Sequence, residues 1–167
     1  WVSEGTTPPA SKHARLDDGT AVSGESLRDV FLAIPGFGFP DHLRHLARLD
    51  YGPRDEITEN LPPATGKLYP ALVSDVDQDG NDLAGIRLPD VAVPLATVTG
   101  WNLRHPDTGG PGQTHKTMGS TVPFAFTKQE RQDNSDPRPS IEERYASKED
   151  YLDRVEGVAR DLVSEAY

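Results

Sequence analysis

The sequence contains no cysteine and a single methionine among its 167 residues. Without thiols there can be no disulfide staples, thiolate nucleophile or Cys-ligated zinc, and the redox compartment is left open. Basic residues are also scarce: 17 Lys and Arg stand against 27 Asp and Glu, for a net charge of −10. No Lys/Arg cluster is available to reward a phosphate backbone or an anionic lipid surface, so neither nucleic acid nor membrane is expected as a partner. Solubility is the plainer meaning of that charge. No signal-peptide pattern and no bilayer-length apolar run occur, and composition does not separate cytoplasm from periplasm or a secreted location.

Apolar residues are few as well, at 35%, and adding the 15 glycines brings the chain only to the edge of the roughly 45–50% usual for globular chains on that count. Punctuation is abundant instead, with 15 Pro and 15 Gly, which interrupt long helices and broad sheets. A loop-rich α+β chain is expected, with an apolar interior too small to stand alone and a dependence on a body outside this sequence. The ends agree: the chain starts at Trp1 without a Met and stops at Tyr167 inside a helical pattern that lacks a Gly, Asn or Pro stop. It reads as the portion of a larger protein.

Residues 69–104 hold the longest apolar segments and the sharpest turn signal. The runs 68–76 and 83–88 flank the polar stretch 77–82, where Asp79 and Gly80 suit a tight reversal, so a β-hairpin is expected around 68–88. Residues 91–99 are rich in β-branched side chains, but Pro94 lacks the N–H of a central ladder position; they are expected as extended chain on an edge or in a groove.

Upstream, residues 1–24 read as the last turn of a helix ending at Gly5, an extended exit through Pro8 and Pro9, and a turn at 16–20. Leu27, Val30, Phe31 and Ile34 have helical spacing that stops at Pro35. Asp41 is expected to head a second short helix carrying Leu43, Leu46 and Leu49, followed by an irregular connector over 48–66. Downstream, 105–112 is a loop by composition. Thr127 with Glu130, Ser140 with Glu143 and Ser147 with Asp150 repeat the capping-box spacing, so short helices are expected after each. Within the C-terminal portion 140–167 the last helix is amphipathic, with Leu152, Val155, Ala159, Leu162 and Ala166 on one buried stripe.

Several residues invite a chemical reading. Asp75, Asp77 and Asp79 with Gly80 copy the opening of a calcium loop, but the twelfth position is Ile86 where a bidentate Glu is needed, so a plain turn is the favoured reading. His42 and His45 have i, i+3 spacing without a third ligand nearby, and His105 and His115 flank Asp107 without a G-x-S-x-G nucleophile to activate. Surface histidines are the expectation for all four. Trp101, Asn102 and Arg104 place an indole, an amide and a guanidinium within four positions; they are the substrate-binding candidates, although Trp101 taken alone reads first as a packing anchor and it is Asn102 and Arg104 that keep the pocket reading open. Asp136, Arg138, Glu142, Glu143 and Arg144 read as solvated ion pairs or, if buried, as bidentate clamps on a neighbouring domain. No catalytic residue and no cofactor are expected within the chain.

The stretches YPALVSDVDQDGNDLAGIRLPDVAVPLATVTGWNLR, GSTVPFAFTKQER and SDPRPSIEERYASKEDYL, with the opening WVSEGTTPPAS, resemble the C-terminal part of the bacterial alpha/beta hydrolase domain family. The resemblance covers nearly the whole chain. It implies an esterase-like serine hydrolase of α/β-hydrolase parent fold, whose serine, acid and histidine lie upstream of Trp1. This chain would then be a lid, pocket wall or scaffold, inactive by itself. Its partners would be an N-terminal catalytic core and, through that core, a small-molecule ester. The rival from the residues alone is a noncatalytic acidic module that binds another protein through its Pro-rich turns and final helix.

Overall fold

The computed structural model describes residues 5, 12–51, 64–115 and 117–167. Proline and glycine keep its regular elements short: among these residues no strand exceeds five residues, and one helix exceeds six. β1 (Ala21–Ser23) pairs with β4 (Leu72–Ser74), and β2 (Ala47–Leu49) with β3 (Ala64–Leu68). β5 (Ala96–Thr99) pairs with β8 (Ser120–Pro123), and β6 (Asn102–Leu103) with β7 (Thr114–His115). All four are two-stranded antiparallel ribbons. Such ribbons are marginal alone, and Val22 of β1 and Val122 of β8 instead pack against an apolar core of Leu27, Phe31, Ile34 and Phe39.

The predicted first helix forms. A 3-10 turn over Gly24–Leu27 leads into α1 (Arg28–Leu32), and Pro35 with Gly36 at φ 76° ends it. Leu27, Phe31 and Ile34 share its inner face and, with Phe39, make the main apolar core. Each such side chain contributes about 1.5–3 kcal/mol by leaving water. The turn at 16–20 forms as expected, with Gly19 at φ 76°.

The hairpin expected around 68–88 is not a two-strand ladder. Its tip closes, through the Val76–Asp82 bridge and bonds from Asp77 N–H to Asn81 O (2.8 Å) and Gly80 N–H to Asp77 O (3.0 Å). Its arms separate: Leu68 ends β3, residues 72–74 pair with β1, and 83–88 join no strand. Segments this short carry too little alternation to select their own partners. The extended expectation for 91–99 holds for β5 only; Pro89 sits at the first turn of α2 (Pro89–Ala92), where its missing N–H costs nothing.

The helix predicted after Asp41 is absent. Residues 43–46 are irregular and 47–49 are β2, whose partner β3 takes up the end of the expected connector 48–66. Residues 52–63 of that connector, and the proposed helix end and Pro8–Pro9 exit in the 1–24 portion, lie outside the described residues except for Gly5.

All three expected caps are present. α3 (Lys128–Asp133) starts at Thr127, whose hydroxyl accepts from Glu130 N–H at 3.1 Å; α4 (Ile141–Arg144) has a full capping box of Ser140 and Glu143; α5 (Lys148–Ser164) starts at Ser147. The buried stripe of α5 is rotated from the predicted one. Tyr151, Val155, Val158 and Leu162 are half-buried, whereas Leu152, Ala159 and Ala166 of the expected stripe are exposed, as is Val163. The rotation comes from what α5 leans on: α2 on one side and Tyr145, whose ring meets Tyr151 edge-on at 5.1 Å and whose hydroxyl donates to Pro94 O at 2.8 Å.

The mixed-charge patch is only partly solvated: Asp136 and Arg138 are buried and Arg144 is half-buried, while Glu142 and Glu143 are exposed. Arg138 is 1% exposed, donates twice to the Asp136 carboxylate (2.9 and 2.6 Å), and also reaches Thr97 Oγ1 and the Val122 and Pro123 carbonyls. Burial pushes the Asp136 carboxyl up, but the bonds from Arg138 and the nearby Arg131 charge outweigh it and hold it below the ordinary range. Arg144 grips Asp79 in the 77–82 turn, and the Phe124 ring lies against both guanidiniums. Arg138 and Arg144 are thus bidentate clamps, but on carboxylates of this chain and not on the neighbouring domain expected for them.

Candidate functional site

Trp101 follows β5 and packs its indole against three phenylalanines from the 31–39 segment, edge to face at 5.3 Å (Phe31), 5.5 Å (Phe37) and 6.0 Å (Phe39). Such pairs add about 0.5–1.5 kcal/mol each beyond area burial. The cluster is one wall of an apolar cavity of about 440 Å³, with Leu27, Phe31, Phe39, Leu43, Val73 and Trp101 as its apolar lining. Ser74, Asp82, Thr99 and Thr114 supply the polar atoms. This is the composition of a small-molecule site: an apolar body with a few hydroxyls and one acid.

Asp82 stands out among those polar groups. Desolvation by the surrounding atoms, with the Asp77 charge second, pushes its carboxyl up; the Arg87 charge opposes them and loses. Arg87 is itself committed to the Asp77 carboxylate at 2.6 Å and to Val91 O at 3.0 Å. The cavity therefore disfavours a negative charge at its Asp82 end.

A second cavity of about 760 Å³ adjoins the first, since Leu43 and Thr114 line both. His42, Arg44, Arg104 and His115 bring it basic groups against one acid, Asp41. The floor is set by the β6–β7 hairpin and by the bond from Asp41 N–H to Gly112 O at 3.0 Å.

The sequence-derived candidates are thus divided. Trp101 faces the apolar cavity; Asn102 spends its side chain on Leu103 N–H at 2.7 Å and lines, with Trp101, a shallow groove beside β8; Arg104 lies in the basic cavity. His115 shares that basic cavity with His42, and its Nδ1 meets the Thr117 hydroxyl at 3.2 Å without a carboxylate orienting the ring among the described residues. His45 contacts Tyr69 O at 3.2 Å, and His105 is exposed beside Asp107 at 3.5 Å. Asp75, Asp77 and Asp79 do not converge. Asp75 accepts from Val76 N–H, Asp77 from two turn N–H groups and Arg87, and Asp79 from Arg144. Among the described residues no group of three or more His, Asp or Glu could hold a metal ion.

Sequence reasoning missed Phe31, Phe39, Leu43, Asp82 and Arg44 as site residues. The apolar ones are indistinguishable from core by type, and the others are single charges in charged surroundings.

The aromatic cavity beside a basic one fits a binding scaffold for a small molecule. The chain belongs to the alpha/beta hydrolase domain family, whose match runs over residues 1–167. No curated protein and no solved structure matches it. No helix among the described residues is long and apolar enough to cross a membrane. The described strands are all antiparallel, a small α+β arrangement.

Proposed function

We propose that this chain is the lid or pocket wall of an esterase-like serine hydrolase, with the nucleophile, histidine and acid supplied by sequence upstream of Trp1. The observation that carries this is the apolar cavity around Trp101, of a size and lining suited to the acyl or alcohol part of a small ester, in a chain of a hydrolase family. Trp101 forms its back wall and sets the chain length accommodated. The test is Trp101→Ala in the full-length protein. The ratio of kcat/KM for p-nitrophenyl octanoate to that for the acetate is expected to fall about tenfold; an unchanged ratio with lowered stability assigns Trp101 to packing alone.

The rival, a noncatalytic protein-interaction module, is favoured by the exposed Leu152 and Val163 on the acidic helix α5. A full-length protein that turns over no ester, and whose upstream sequence has no nucleophile elbow, would select it.

A further inference from the structure

Of the described arginines, all but Arg44 and Arg104 have a partner. Arg15, Arg28, Arg87, Arg131, Arg138, Arg144, Arg154 and Arg160 each face a carboxylate. Arg48 lies over the Tyr69 ring at 4.8 Å. Arg44 and Arg104 have neither an ion pair nor a ring contact among the described residues, and both line the basic cavity. In a chain carrying 27 acids and 17 bases, two guanidiniums left unpaired on one cavity are conspicuous. Two imidazoles, His42 and His115, share the cavity, and Asp41 is its one acid.

Position adds a second constraint. Leu43 and Thr114 form the partition between the basic cavity and the apolar one. A molecule crossing that partition would have an apolar body against Phe31, Phe39 and Trp101 and a polar end among the arginines. Asp82, at the apolar cavity, repels an anion there and so orients a charged ligand one way.

We infer that the two cavities together bind an anionic amphiphile, an oxyanion head held by Arg44 and Arg104 with an apolar tail in the Trp101 cavity. This rests on the acyl-site reading above and deepens it: the ester served would carry a carboxylate or phosphate at the end remote from the scissile bond. Guanidinium forks match both oxyanions bidentately. Because both arginines are exposed, the interaction is screened by salt and steers entry as much as it holds.

The experiment is calorimetric titration of the full chain with octanoate, octyl phosphate and octanol at low ionic strength. At least one of the two anions is expected to bind about tenfold or more tightly than octanol, and which one does so identifies the head group. The double substitution Arg44→Gln with Arg104→Gln, its fold checked by circular dichroism, is expected to remove that advantage while octanol affinity stays the same. Raising NaCl should shrink the advantage in the parent and leave the variant unmoved. Equal binding of anions and octanol, an advantage that survives the double substitution, or no anion binding at all overturns the inference. The esterase reading stands or falls separately, because its assay uses esters with uncharged acyl chains.

Discussion

The guanidinium of Arg144 grips the carboxylate of Asp79, 65 residues earlier in the sequence, through two parallel bonds, one of them Nη1 to Oδ2 at 2.7 Å. Asp79 is 6% exposed and Arg144 12%. Arg144 also donates from Nε to Pro139 O at 2.8 Å and stacks over Phe124 at 4.0 Å. The pair therefore ties the C-terminal helices to the 77–82 turn and, through it, to the Trp101 cavity.

Removing one partner strands the other. Arg144→Met is expected to destabilise the chain by about 3–5 kcal/mol, read as a fall in the urea midpoint. Combining it with Asp79→Leu should recover much of that loss, because replacing both charges with apolar groups leaves no buried charge unpaired, and only the Pro139 carbonyl still lacks its donor. If the double variant is as unstable as the single one, the hydrogen bonds rather than the stranded charge carry the effect.

Gly80 holds the same turn together by conformation. Its φ is 79°, and a Cβ there would lie 3.1 Å from Thr97 Cγ2 and 3.2 Å from Ile34 Cδ1. The left-handed conformation alone costs an L-residue about 1–2 kcal/mol, and crowding against the core adds to it. Gly80→Ala is expected to lose about 2 kcal/mol or more in denaturant unfolding. By contrast Gly19→Ala, where φ is 76° but no atom lies within 4 Å, should show the conformational part alone. Equal losses at the two sites would mean that the packing around Gly80 yields.

Local and distant contacts differ in how far the sequence makes them legible. Caps are local: Ser140, Ser147 and Thr127 each satisfy an N–H three residues on, so spacing suffices to find them. The α1 face, Leu27, Phe31 and Ile34, is legible for the same reason. Strand partners are not local. Val73 pairs with Val22, about fifty positions away, and nothing in three residues announces that choice. Burial of charge is equally hidden, since Arg138 and Asp136 look like any surface pair until Thr97, Val122 and Pro123 close over them. Trp101 is legible by type as a packing anchor; its companions Phe31 and Phe39 come from another segment and join it only through packing.

Glu143 supplies a pH dependence. The Ser140 N–H (3.0 Å) leads, followed by Arg131 and the Ser140 hydroxyl, in holding its carboxyl down from 4.5 to about 2. A carboxyl depressed in the folded state stabilises it above the unfolded value and loses that contribution as pH falls through the folded one. The difference in urea midpoint between the parent chain and Glu143→Gln is therefore expected to be full at pH 6 and to shrink between 4.5 and about 2. A difference that is constant across that window would mean that the Glu143 carboxyl titrates alike in the folded and unfolded chain, so that its bonds do not favour the charged form.

Asp82 should behave in the opposite sense. Desolvation, then the Asp77 charge, raise its carboxyl above the ordinary value of 3.8, so the folded state favours the protonated form. Below the unfolded value both states hold the proton and nothing is lost; as pH rises through the folded value, the ionised group weighs against folding. Asp82→Asn keeps the size and removes the charge. It is expected to raise the melting temperature at pH 7, with the gain shrinking as pH is lowered and the two proteins converging once the parent carboxyl is protonated in both states. The same variant should also bind octanoate more tightly, since the repulsion at the apolar end is gone. A melting temperature that falls at pH 7 would show that the Asp82 carboxylate is a net stabiliser, and would remove the charge gradient that orients an anionic ligand toward Arg44 and Arg104.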